Sequence, residues 1–382
     1  MKESLIDSKI NGISRELLEP IPDIPSVKGW QQIEIIEDKE HTDNLVPVGL
    51  FSGNEFGFFT ASAYGPDIDN HLCYGSEGIP GGLTGCYMRG NVAQKLIQAE
   101  KLLPVGYHFV IYDAWRSRDI QEALYKQYYE KLKIQNPGLS DEKLAQETQK
   151  FVSLPSIDPK KPSTHNTGGA IDLTIFSLPA EVEIRVAEIK DQIAQLDEAN
   201  DFAKIYELEI ERHNLIAQNA TELNFGTVFD KAGDIAAPDY YEKLSLKRDL
   251  TPKEIEARDN RRLLYNAMTK VGGLPYPDEY WHFNFDNQMA AVSAGKSQAR
   301  YGAAEFTPEL VKHEDMLKGN RAGLKVVRKA VDTHDFRALK IIESVPLGGL
   351  VTLTTKNVEG DITETSLPQI EAISPDETEK VA

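Results

Sequence analysis

Three strand-like runs set among helical patterns predict a mixed fold of helices and strands. GYHFVIYDAW at 106–115 opens after a glycine turn. GGAIDLTIF at 168–176 alternates Ile171, Leu173 and Ile175 with Ala170, Asp172 and Thr174, and EYWHFNF at 279–285 alternates Trp281, Phe283 and Phe285 as a half-buried strand. Between these runs the apolar residues recur at intervals of three and four, the period of an amphipathic helix.

In chain order, residues 1 to about 60 mix short apolar runs (33–36 and 46–51) with prolines and charges, which suggests irregular structure and edge strands. Val92, Leu96, Ala99 and Leu103 then mark a helix before the first strand. Ser117 is placed to cap the next helix, whose inner stripe is Ile120, Leu124, Tyr128 and Leu132. After the second strand, Val182, Val186, Ile189, Ile193 and Leu196 fit a heptad seam. Beyond the polar turn DEAND, a looser stripe of Phe202, Ile205, Leu208 and Leu215 predicts an antiparallel helix pair over 180–219. Thr251, Pro252 and Glu254 form a capping-box start for a helix running toward Met268, closed by Gly272 and Gly273. Beyond Gly302 the reading is a helix over 322–344, a strand at 350–354 and the acidic tail ISPDETEKVA.

Composition excludes several functional classes. At 382 residues the chain is long enough for a substantial core, and its 27% charged and 41% hydrophobic residues are those of a globular protein. A net charge of −18, without a dense Lys/Arg run, argues against a nucleic-acid partner. Cys73 and Cys86 match neither a zinc knuckle nor a disulfide framework and read as free thiols in a reducing compartment. Charges interrupt the N-terminal apolar residues, and no window approaches the ~18 uninterrupted apolar residues of a spanning helix. The expectation is a cytoplasmic protein with no membrane partner.

Two of the eight histidines stand out. His165 lies in STHNTGGAID, a glycine-rich turn feeding the strand that carries Asp172, and His282 follows Glu279 by three residues. A catalytic zinc takes three His, Asp or Glu ligands and keeps an open position for water, and His165, Asp172 and His282 supply that set. Gly168 and Gly169 remove side chains that would crowd the turn. Glu279 could then be the base that takes a proton from the attacking water. In a flat strand, however, residues 279 and 282 face opposite ways, so Glu279 must sit in a turn or bulge after Pro277-Asp278. By spacing alone a metal site and a polar strand end stay equally open.

The combination SxHxxGxAxD (Ser163, His165, Gly168, Ala170, Asp172) followed by ExWH (Glu279, Trp281, His282) resembles the signature of the VanX-type D-alanyl-D-alanine dipeptidases, zinc metallopeptidases of the D-Ala-D-Ala family. YDAWR with Arg116, FGTVFD with Asp230 and the helix NRRLLYNAM agree in order, so that the match spans about residues 58 to 290. The resemblance implies an α+β fold, a small mainly antiparallel sheet with packed helices around a central zinc cleft. It implies one Zn2+ per chain held by His165, Asp172 and His282, with Glu279 as general base and Arg116 stabilising the oxyanion. Asp230 would pair with the substrate ammonium and Ser163 would lie near its carboxylate.

Against that pattern the usual proline after the arginine is Ser117. The expected division is an N-terminal lead over 1–57, a catalytic unit over 58–305 with the hairpin 180–219 inserted, and an extension over 306–382 ending in a disordered acidic tail. The hairpin could cover the site, join two copies of the chain, or do neither. The implied activity is hydrolysis of D-Ala-D-Ala or a related D-amino-acid dipeptide. The other readings are a D,D-carboxypeptidase or endopeptidase acting on peptidoglycan stems, and a catalytically retired binding module.

Overall fold

The computed structural model describes residues 13–36, 43–65, 78–149, 152–197, 200–231 and 233–320, together with strand backbone at 9–10, 329–331, 338–340, 351–356 and 362–367. The elements that position the site are β1 (Leu45–Val48), β2 (Phe59–Thr60), β3 (Cys86–Arg89), α1 (Gly90–Glu100), β4 (Tyr107–Asp113), α2 (Arg118–Gln135), α3 (Asp141–Thr148) and β5 (Ala170–Ser177). They continue with α4 (Ala180–Ala194), α5 (Phe202–Asn219), β6 (Thr221–Glu222), α6 (Tyr240–Ser245), α7 (Pro252–Lys270), β7 (Leu274–Tyr276), β8 (Glu279–Asn284), α8 (Gln288–Ser293) and α9 (Pro308–Asn320). Helices and strands mix along the chain, an α+β architecture.

A six-stranded sheet in the order β7-β8-β5-β4-β2, with β6 paired to β5, forms the centre. Every pair in it is antiparallel except β2 with β4. Its middle strands are buried on both faces: every residue of β5 before Ser177 is buried, and so is β8 after Glu279. The half-buried strand expected over 279–285 is therefore a covered one. The reason is that its polar alternates, His282 and Asn284, are turned into a hydrogen-bonded interior rather than into water. One hydrophobic core joins this sheet to α1, α7 and the base of the helix pair, and takes in Leu17 as well as Tyr301.

The helices follow their sequence signals. Ser117 Oγ accepts from the Ile120 N–H, and Thr251 with Glu254 closes a full capping box at the start of α7. Ile120 and Leu124 are buried, whereas Tyr128 and Leu132 are only half-buried. α4 and α5 form the expected antiparallel pair, with Ile189, Ile193 and Leu208 making a small separate core between them. The helix expected over 322–344 is not formed as such: Lys329–Val331 and Ala338–Lys340 are paired antiparallel strands, followed by Val351–Lys356 and Ile362–Leu367. Val331, β-branched and stiff at χ1, favours the extended backbone of its strand over the helical period that the spacing suggested. His41, His71, Cys73, His334 and the acidic tail lie outside the described residues. Cys86 is a buried free thiol, and no helix among the described residues is long and apolar enough to cross a membrane.

Candidate metal centre

Strand register assembles the site in one row. His282 on β8 stands opposite Asp172 on β5, and Asp172 stands opposite Asp113 at the end of β4. A bulge between Ile111 and Asp113 gives Asp172 the partner Asp113 in place of Tyr112, which is how a third polar group enters the row. His165 arrives from the other side on a short 3-10 turn, His165–Thr167, that ends at Gly168 with φ +68°. Any side chain at Gly168 would meet Leu45 Cδ2 at 2.3 Å, and one at Gly169 would meet the Phe285 carbonyl at 2.5 Å. The two glycines are what let this turn lie flat on β1 and against the end of β8.

The three predicted ligands converge. His165 Nε2 lies 3.2 Å from His282 Nδ1 and 3.5 Å from Asp172 Oδ2, and His282 Nδ1 lies 2.9 Å from Asp172 Oδ1. All three residues are buried. The opposite ring nitrogens are already engaged: His165 Nδ1 donates to the Ala114 carbonyl at 2.8 Å and His282 Nε2 to Asn284 Oδ1 at 3.2 Å. Two imidazole nitrogens 3.2 Å apart can share at most one proton, so the cluster directs acceptor atoms at one point with too few protons to satisfy them. Asp172 Oδ1, buried and without a well-aligned hydrogen bond among the described residues, is the orphan this leaves. A tetrahedral ion with bonds of ~2.0–2.1 Å sets its ligand atoms about 3.3 Å apart. The donor set and its spacings fit a divalent metal ion.

The electrostatics agree. Burial alone would raise the Asp172 pKa, but His165 and His282 hold it well below the usual carboxylate range. Burial would lower His165, but Asp113 and Asp172 raise it, a sign that the pocket stabilises positive charge at that point. Glu279 opens β8 directly after the turn at Pro277-Asp278, where the β7–β8 register slips, and its Oε2 comes within 3.8 Å of His282 Nδ1. The parity problem is thus resolved by the turn. Burial pushes the Glu279 pKa up, with Asp172 and Asp230 adding to the shift and His282 opposing it.

Arg116 is buried and tightly held. Its Nε donates to Asp113 Oδ2 at 3.0 Å and its Nη2 to the same oxygen at 2.5 Å. Nη2 also donates to the Tyr64 hydroxyl at 3.0 Å, and Nη1 to Gln121 Oε1 at 2.8 Å. The Tyr64 ring also lies under the guanidinium at 4.6 Å. These contacts occupy four of the five N–H donors and leave one on Nη1 beside the cleft. Asp230 sits half-buried in left-handed backbone at φ +62°, uncommon outside glycine, and lines the same cleft as Ser163, Glu279, His165, Asp172 and His282. The cleft has a volume of about 1020 Å3 and reaches from His165, Asp172 and His282 to Trp30 and the residues of α6.

Among curated proteins, a D-alanyl-D-alanine dipeptidase from Synechocystis sp. is similar to this chain: 22% identical over 216 residues, covering 53% of this chain and 71% of that protein. No protein-family model matches the chain. The relationship is distant, and it agrees with the family resemblance that the motifs carry.

Several site residues were missed by sequence reasoning. Asp113 bridges Arg116 and His165, with its Oδ2 3.1 Å from His165 Nδ1. Its signal was present, a carboxylate three residues before the arginine at a strand end. Tyr64, Gln121 and Asn284 had no comparable signal, since each depends on which strand or loop is brought alongside.

Proposed function

We propose that the chain is a zinc-dependent dipeptidase that hydrolyses the peptide bond of D-Ala-D-Ala or a related D-amino-acid dipeptide, acting in the cytoplasm. The observation that carries this reading is the convergence of His165 Nε2, Asp172 and His282 Nδ1 with Glu279 beside them in one cleft. Zinc, when bound by His165, Asp172 and His282, would supply Lewis acidity toward the scissile carbonyl and the attacking water. Glu279 takes the water proton on its carboxylate and returns it to the leaving amine, the shuttle its position at the mouth of the row allows. Arg116, immobilised by Asp113, Tyr64 and Gln121, offers its remaining Nη1 proton to the developing oxyanion without having to reorganise. Asp230 pairs with the substrate ammonium, and Ser163 lies toward its carboxylate, so both ends of a dipeptide are held.

One observation favours a second reading. Small-molecule sites run to ~300–1,000 Å3. At about 1020 Å3 the cleft is roomier than a dipeptide needs, and peptidoglycan stem peptides, cut by a D,D-carboxypeptidase or endopeptidase, would use the extra space. The deciding experiment assays the zinc-loaded protein on D-Ala-D-Ala, L-Ala-L-Ala and N-acylated D-Ala-D-Ala. Turnover of free D-Ala-D-Ala alone is the expected result; turnover of only the N-acylated substrate overturns the dipeptidase reading in favour of the second.

A further inference from the structure

We infer that Asn284 and Asn287 are positioning residues that decide which nitrogen of His282 is offered to the metal, an inference that rests on the metal-centre reading above. The chain of hydrogen bonds can be followed from a group whose role is beyond choice. The Ala290 backbone N–H can only donate, and it donates to Asn287 Oδ1 at 2.9 Å, with Asn287 serving as the N-cap of α8. The orientation of the Asn287 amide is thereby settled, and its Nδ2 donates to Asn284 Oδ1 at 2.8 Å. The other end of the Asn284 amide faces Met289 Sδ at 3.3 Å, an atom that can only accept. Asn284 Oδ1 is therefore an acceptor toward the imidazole, and the nitrogen it meets at 3.2 Å, His282 Nε2, carries the hydrogen. The lone pair falls on Nδ1, the nitrogen that faces Asp172 Oδ1 at 2.9 Å and His165 Nε2 at 3.2 Å.

Burial makes the relay strict. Asn284 is 1% exposed and Asn287 0%, so no bulk water competes for either amide, and the ring cannot exchange its two nitrogens without breaking the relay. Capping accounts for Asn287 but not for Asn284, since a buried primary amide at the end of β8 is costly unless its hydrogen bonds serve a purpose. An outer carboxamide that holds a ligating histidine's far N–H both sets the tautomer and raises the basicity of the ligating nitrogen.

The test titrates the metal-free full-length chain with zinc against a competing chelator, and records thermal melting of each metal-free variant. Asn284→Ala should bind zinc about 10–100-fold more weakly than the wild type. Asn284→Asp keeps an acceptor oxygen for His282 Nε2 and should bind at least as tightly as the wild type. Asn287→Asp keeps the cap to Ala290 but loses the donor that orients Asn284, and should weaken zinc severalfold, with a lower melting temperature because its carboxylate is buried facing Asn284 Oδ1. Wild-type affinity in Asn284→Ala, or equal losses in the Ala and Asp variants that track their melting temperatures, overturns the inference. Failure of the wild-type chain itself to bind zinc overturns the metal-centre reading on which it depends.

Discussion

His108 and the pair His165–His282 are built from the same ingredients, imidazoles beside carboxylates at hydrogen-bonding distance, yet they do opposite things. Both nitrogens of His108 meet carboxylates, Nδ1 to Glu100 on α1 and Nε2 to Glu183 on α4, each at 2.8 Å. Each contact needs a hydrogen on the ring. Although burial would lower the His108 pKa, hydrogen bonds to Glu100 and Glu183 raise it, and the imidazolium ties the root of the helix pair to the body of the protein. In the candidate metal centre His165 Nδ1 donates to the Ala114 carbonyl with Asp113 Oδ2 3.1 Å away, His282 Nε2 donates to Asn284 Oδ1, and the other two nitrogens point at one another across 3.2 Å. A histidine with a separate carboxylate on each nitrogen holds both protons, whereas two rings whose near nitrogens face each other and share one carboxylate, Asp172, direct lone pairs at one point that could take a metal ion. What the near nitrogens face, each other and one shared carboxylate, rather than the presence of His and Asp, separates the two cases.

The sharpest way to break that comparison is to delete each kind of histidine. His282→Ala or Asp172→Asn should cost more zinc affinity than the ~10–100-fold attached to outer residues, and abolish turnover with it. His108→Ala should leave both unchanged and lower only thermal stability, by about 1–3 kcal/mol for the charged hydrogen bonds lost. Equilibrium dialysis and melting of the same three proteins decide the matter: zinc loss in His108→Ala, or retention in His282→Ala, ends the distinction. Glu279→Gln sharpens it further, because Glu279 is beside the row without belonging to it. Its turnover should fall by about 10²–10⁴-fold while bound zinc stays stoichiometric.

A smaller effect comes from pH. Burial, helped by the Arg212 charge, pushes the His213 pKa on α5 down to about 4 from the usual 6.5. The unfolded chain then binds the proton that the folded one refuses, so stability should fall as pH drops from about 6.5 to about 4, by about 3 kcal/mol at most. His108 has the opposite sign: its stabilisation is complete below pH 6.5 and is lost as pH rises through its raised folded value. Denaturant melts of wild type, His213→Leu and His108→Ala, run from about pH 4 to well above pH 6.5, should show the first difference growing toward acid and the second shrinking toward base. Parallel curves would mean that neither ring titrates as its surroundings imply.

The legible part of the site was its local part. SxHxxGxAxD places a turn, two close-packing glycines and an inward carboxylate within ten residues, and the turn before Glu279 was required by strand parity alone. Helix starts at Ser117 and Thr251 and the α4–α5 pair were equally local, since caps and heptads are read within one or two turns. What escaped depends on register. Asp113 joins the row because a bulge shifts β4 by one residue, and Asn284 matters because it lies two positions beyond His282 on a strand whose far face is also covered. Neither fact exists before the strands are paired.

The smallest predicted effect concerns the place where this chain departs from the pattern it resembles. Ser117 stands at φ −65° and ψ 160°, caps α2 through the Ile120 N–H at 3.2 Å, and follows Arg116 directly. Ser117→Ala removes the cap and should cost about 1 kcal/mol. Ser117→Pro also removes it, but its ring locks φ near the value already adopted and narrows the unfolded ensemble, which returns about 0.4–1 kcal/mol. The proline variant should therefore melt closer to the wild type than the alanine variant does. Neither should alter zinc affinity, because Arg116 is held by Asp113, Tyr64 and Gln121 through its side chain and not by the residue after it. A loss of zinc in either variant would mean that the helix cap, and not the row of strands, is what holds the arginine side of the cleft in register.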